Sequence, residues 1–248
     1  MKKLLIIPAF LLILTSSQAQ SWIDIGAKGM FNSTWVLNGN VNNDKYAAYE
    51  MSFGYGGGGK IGFNFNESAE ITLDVLYSTV NQKYMSNGLE NKWTKEINLS
   101  YLDLPLLFKS NKEGTYIEIG PQFSILMGAK DKFGFENADA IRDYNRNPAD
   151  QYYEKKNVAA VFGFGSYLFG TENLYVCFGM RATYGFLDII SKEGGKGSEY
   201  TSITPANDGT PKSYRATNNL TVGFVLELNY DLGYLVSASC GKRRVLFF

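Results

Sequence analysis

The side chains of this chain that could do chemistry are carboxylates and cations set at alternating positions. Asp74, Asp103, Glu118 and Glu227 could serve as general acids or bases, with Lys28, Lys60 and Arg181 as counter-charges. A positioned carboxyl group can move a proton by itself, so a carboxylate-dependent enzyme modifying outer-membrane lipid is one reading. The other is structural: the same groups pair with one another and fill a narrow interior. The 248 residues include no histidine, which excludes a Ser-His nucleophile and any His-ligated metal. Residues 54–60 (GYGGGGK) approach the phosphate-binding pattern G-x-x-x-x-G-K-[ST], but Ile61 replaces the hydroxyl that would hold Mg²⁺. The run also leads into an alternating stretch, so no helix N-terminus is present to meet a phosphate. No catalytic residue, cofactor, metal or nucleotide is expected.

What positions these groups is a repeated β pattern. In 174–186, Leu174, Val176, Phe178, Met180, Ala182, Tyr184 and Phe186 occupy one parity. Tyr175, Cys177, Gly179, Arg181, Thr183 and Gly185 occupy the other. Side chains alternate across a strand, so this is a strand with one apolar face and one small or polar face. It exceeds the ~5–6 residues usual in globular strands and is close to the ~9–11 that cross a bilayer at a tilt. Comparable stretches at 22–37, 51–65, 69–82, 92–109, 115–128, 158–169 and 218–231 bring the total to eight strands. Within 92–109 the apolar phase changes, with Ile97, Leu99 and Tyr101 on one parity and Leu102, Leu104, Leu106 and Phe108 on the other. A β-bulge near Tyr101 is expected there.

The connections sort by length. Those at 66–68, 110–114 and 170–173 are tight, and those at 38–50, 83–91, 129–157 and 188–217 are extended. Short periplasmic turns alternating with longer external loops are the rule for outer-membrane barrels. All seven charged residues named above lie on the parity opposite the apolar one. An Arg or Lys facing mid-bilayer lipid costs about 2–4 kcal/mol, so the segregation predicts hydrocarbon outside and charges in the lumen. A soluble, secreted barrel that binds a small ligand would carry the opposite arrangement, with an apolar interior.

Residues 1–19 form a separate unit: Lys2 and Lys3, an apolar run, then Ser17-Gln18-Ala19 as a cleavage site. This reads as a secretory signal peptide. The barrel is expected over 20–231 and a periplasmic tail over 232–248. Twenty-four basic residues balance 24 acidic ones, which gives a nucleic-acid partner no basic stripe to bind. Cys177 and Cys240 do not make a disulfide framework.

The run Tyr101-Leu102-Asp103-Leu104-Pro105-Leu106-Leu107 resembles the Y-L-E-I-P-L-L strand of the PorT-like outer-membrane β-barrel proteins of Bacteroidetes-type bacteria. Residues 116–127 (YIEIGPQFSILM) look like that family's Y-x-E-x-G-P strand, and 175–187 are similar as well. The resemblance implies an all-β fold, an eight-stranded antiparallel up-and-down barrel in the outer membrane of a Gram-negative bacterium. It also implies a link to type IX-like protein secretion. The chain departs from the pattern at its end. If Phe248 were the terminal aromatic, Lys242, Arg243 and Arg244 would lie in the spanning strand.

Eight strands enclose an interior that side chains just fill, and Met30, Tyr116, Tyr167 and Tyr175 point into it. Free diffusion of solutes is therefore not expected. Function should reside in the loops, where Phe133, Phe135, Tyr144, Tyr152, Tyr153, Tyr200 and Tyr214 are candidate binding residues. Loop packing would use the same aromatics. The expected molecule is a monomeric, lipid-embedded platform that binds a protein of a secretion or surface-assembly machine.

Overall fold

A computed structural model describes residues 21–42, 47–86, 93–135, 144–171, 173–197 and 214–234. The expected signal peptide at 1–19, Tyr200, Cys240 and the segment 235–248 lie outside the described residues. The alternating stretches form β1 (Trp22–Asn38), β3 (Ser52–Asn66), β4 (Ala69–Ser86), β5 (Trp93–Lys112), β6 (Thr115–Phe135), β8 (Lys156–Gly170), β9 (Leu174–Gly185) and β10 (Thr217–Tyr234). Two short strands, β2 (Ala47–Glu50) and β7 (Tyr144–Arg146), add to the edges of β4 and β6. All neighbouring pairs are antiparallel, and β10 returns to pair with β1 from Trp22↔Tyr234 to Asn38↔Thr217. The eight long strands thus close into a ring with no free edge, which is what a β-structure in hydrocarbon requires.

The connection rule holds. At one end β3 and β4 meet at Glu67 and Ser68, and β5 and β6 at Glu113 and Gly114. Both turn residues of the second hairpin have positive φ, 50° at Glu113 and 77° at Gly114, the backbone of a two-residue turn matched to strand twist. This end faces the periplasm. The long connections gather at the other, extracellular end.

Burial follows the strand period. Outward positions such as Ile61, Leu73, Ile119, Phe164, Phe178, Phe224 and Leu226 are exposed, while inward Lys60, Asp74, Glu118, Arg181 and Glu227 are buried. An apolar outside around a charged inside excludes the soluble-carrier reading. No helix among the described residues is long and apolar enough to cross a membrane; the strands do the crossing. Above the apolar belt the outward positions turn polar, with Asn81, Lys83, Glu96, Asn98, Lys130 and Lys132.

The bulge is present but on the other strand. The register of β5 against β6 shifts between Ser100 and Tyr101, and the extra residue is Met127 of β6. β5 keeps one phase from Trp93 to Lys109, so Ile97, Leu99 and Tyr101 point inward like Asp103. What changes along β5 is the interior itself. It is ionic in the periplasmic half and apolar in the extracellular half, where Val36, Val80, Tyr84, Trp93, Ile97, Leu99 and Tyr101 pack with Tyr153, Ile189 and Ile190. The strands therefore run past the membrane and enclose a second, dry core, here called the crown. β6 continues to Phe135 and β10 to Tyr234, each beyond its expected end.

Phe178 and Phe224 stack outward, 5.6 Å between ring centroids, near the middle of the belt. Phe224→Arg is expected to lower unfolding stability in lipid vesicles by about 2–4 kcal/mol, whereas a lumen-facing polar exchange such as Thr221→Ser leaves it nearly unchanged.

Candidate functional site: the lumen charge cluster

The inward charges converge because the strand registers place them in slanted rows. Lys28 lies opposite Glu227 across β1 and β10, and Lys60 opposite Asp74 across β3 and β4. Glu118, Gly163 and Arg181 make one row across β6, β8 and β9. Lys28 Nζ is 2.8 Å from Asp74 Oδ2 and 3.1 Å from Glu227 Oε1. Arg181 donates through Nε to Glu118 Oε1 at 2.7 Å, and its Nη1 lies 3.4 Å from Asp74 Oδ2. Lys60 Nζ sits 3.0 Å from Asp24 Oδ1, 2.8 Å from Glu70 Oε1 and 3.9 Å from Glu227 Oε2. Lys109 Nζ reaches Glu227 Oε2 at 3.2 Å and stands over the Tyr116 ring at 4.0 Å.

Glycines on the facing strands make the room. A Cβ at Gly163 would come within 2.5 Å of Glu118 Oε1, and one at Gly62 within 2.5 Å of both Asp24 and Glu70. At both positions the close approach of a long side chain leaves no space for a larger residue.

Asp103 is the member of the seven without an ion pair among the described residues. It accepts a 2.5 Å hydrogen bond from Ser78 Oγ and lines a cavity of about 30 Å³ with Gln122 and Arg181, room for about one or two waters. Asp24, Glu70 and Lys109 belong to the cluster although the sequence reading did not single them out. They share parity with Lys28, Asp74 and Asp103 respectively, which was the available signal. Among the described residues no group of three or more metal-ligating side chains is arranged to hold an ion. Buried charges at such distances are individually costly and stable only as a set, so the cluster fixes the interior and blocks it.

The outer membrane protein beta-barrel domain model matches residues 18–191. The chain belongs to that family. Its place is the outer membrane of a Gram-negative bacterium. A comparison with curated protein sequences finds no match. Solved structures that resemble this family member include Ail of Yersinia pestis, 10% identical over 84% of this chain and 99% of that one, TM-score 0.37. Neisserial surface protein A is 8% identical over 83% and 96%, TM-score 0.34, and OprG of Pseudomonas aeruginosa 13% identical over 86% and 96%, TM-score 0.32.

Of the candidate loop aromatics with described side chains, three of four serve in packing. Tyr153 is buried in the crown core, and Phe133 and Tyr152 pack against it from the side. Phe133 stacks on Trp93 with centroids 6.0 Å apart, and the Arg146 guanidinium lies 4.1 Å over the Tyr152 ring. The Tyr214 hydroxyl donates to Asp188; burial first, and then that bond, raises its pKa. Phe135 and Tyr144 lie in β6 and β7, with their side chains outside the described set, as is the whole of Tyr200.

The crown also holds a buried ion pair that sequence reasoning missed. Lys95 Nζ is 3.8 Å from Asp131 Oδ2, and Arg146 Nη1 is 3.9 Å from the same oxygen. Burial pushes the Lys95 ammonium down from 10.5 to about 8, against the pull of Asp131. Burial likewise raises the Asp131 carboxyl, opposed by Lys95 and Arg146.

Two outcomes follow. Glu227→Gln strips the shared partner from Lys28, Lys60 and Lys109 and is expected to cost about 3–5 kcal/mol in urea unfolding of the vesicle-reconstituted barrel. Between pH 8 and 10.5 native Lys95 has released its proton while the unfolded chain still holds it, so Lys95 makes stability rise across that window. Lys95→Met should abolish that part of the rise.

Proposed function

We propose that this barrel is a non-enzymatic platform in the outer membrane, closed to solutes, whose crown binds a protein of a secretion or surface-assembly machine. The observation that carries the reading is the sealed interior: the side chains of Lys28, Lys60, Asp74 and Glu227 are 0% exposed. Asp74, Glu118 and Glu227 cannot meet a lipid substrate while buried among their counter-ions. On the extracellular side, what is available to a partner is the crown, an extension with its own apolar core. Its ordered surface, including Asn145, Gln151 and Lys155, is exposed. A preorganised surface binds at lower ordering cost than mobile loops do. The PorT-like motifs at 101–107 and 116–127 point to type IX-like secretion as the machine.

Photo-crosslinkers at Asn145, Gln151 and Lys155 in living cells test this. One discrete adduct with a secretion-machine component, together with reduced export in a deletion strain, is the expected result. Normal export with no adduct from a folded barrel would count against it. Asp74→Asn and Glu118→Gln are expected to lower stability and leave the lipid A and phospholipid profiles unchanged by mass spectrometry.

A further inference from the structure

The barrel is closed in its middle but open at its periplasmic mouth. A cavity of about 340 Å³ lies there, walled in part by Trp22, Asn64, Asn111, Tyr167, Tyr175 and Asp231. That volume falls within the range of small-molecule sites. Its rim is preformed by main-chain bonds between neighbouring turns. Asn111 N donates to Ser68 O at 2.9 Å, Tyr167 N to Gly114 O at 2.9 Å, and Asp231 N to Asn173 O at 2.8 Å.

The chemistry of the lining is one-sided. The Tyr167 and Tyr175 rings in the lining lie 5.4 Å apart at 45° to each other, with the Trp22 indole bonded to Asp231 beside them. Glu67 and Glu113 stand at the rim against Lys112. Asp231 adds a third carboxylate to the lining, while behind it Asp24, Glu70 and Glu227 are balanced by Lys28, Lys60 and Lys109, so the acidic excess belongs to the lining itself. An acidic lining beside aromatic rings selects a cation. The aromatic rings favour an organic cation, whose alkyl part they can also cover. The same aromatic group already solvates one ammonium from the inner side: Lys109 Nζ is 4.0 Å from the Tyr116 centroid and 5.8 Å from that of Tyr167.

We propose that the periplasmic cavity binds an ammonium or guanidinium group on a slim alkyl chain, its head against the Tyr167 and Tyr175 rings beside Asp231. Two sources carry that chemistry. One is the chain's own Lys242, Arg243 and Arg244, which follow β10 where it ends at this rim. The other is a basic side chain or amine from the periplasm. The site lies at the opposite end from the crown and stands independently of the function proposed for it.

Agmatine, titrated calorimetrically into the full-length protein in a non-ionic detergent, is the probe, with 1-pentanol as its uncharged control. Saturable, salt-sensitive binding of agmatine and none of pentanol is expected. Asp231→Asn and Tyr175→Leu should each weaken binding about tenfold or more, a loss of ~1.4 kcal/mol. Both variants must retain the heat-modifiable gel shift of a folded barrel. Alanine at Lys242, Arg243 and Arg244 together identifies the source. A clear gain in agmatine affinity marks those residues as the natural occupant, and an unchanged affinity marks an external amine. The proposal is overturned if agmatine fails to bind saturably to both the wild-type and the triple-alanine proteins. It is equally overturned if folded Asp231→Asn and Tyr175→Leu bind as tightly as wild type.

Discussion

The Glu227 carboxylate holds the interior together. It lies 3.1 Å from Lys28, 3.2 Å from Lys109, 3.9 Å from Lys60 and 4.0 Å from Arg181, so the four cations of the cluster share it. The lipid outside dictates this arrangement. A strand in hydrocarbon must turn its charges inward, and eight strands leave too little space inside to hydrate them. The charges must therefore pair with each other, each fixing the rotamers of the next. The cost of breaking one contact then falls on several, which makes the plug cooperative and rigid.

From that constraint the rest of the barrel follows in two halves. Below the cluster, tyrosines and carboxylates line a mouth open to the periplasm. Above it, the inward parity becomes apolar, and long strands carry a dry core out of the membrane. The crown is held by ties between strands and loops: the Tyr84 hydroxyl donates to Val36 O at 2.6 Å, and Ala129 N to Asp150 Oδ1 at 2.6 Å. The buried Lys95–Asp131 pair interrupts this largely apolar region, and its position on adjacent strands suits the fixing of β5 against β6.

The sequence made the lipid face legible because hydrocarbon penalises every charge and the strand period is two. The apolar parity, the eight long strands and the turn-and-loop alternation were all readable, and the seven charged residues did point inward. Asp24, Glu70 and Lys109 obey the same parity, but they sit towards strand ends, where a charge could equally meet water. The phase change in β5 was misread because an inward apolar residue looks like an outward one. Only the burial of Leu99 and Tyr101 in one cluster with Tyr153, Ile189 and Ile190 distinguishes them, and that cluster draws on residues far apart in sequence. Tyr153 and Phe133 were ambiguous for the same reason, since an aromatic in a loop can cap a core or meet a partner.

The central claim is that paired charges and the crown core close the lumen. Single-channel recording of the purified barrel in planar bilayers at high potassium chloride tests it most directly. A closed lumen predicts a silent membrane at moderate voltage, with steps appearing only when Glu227 or Arg181 is replaced by a small residue. A steady, reproducible conductance from the wild-type barrel would contradict the account.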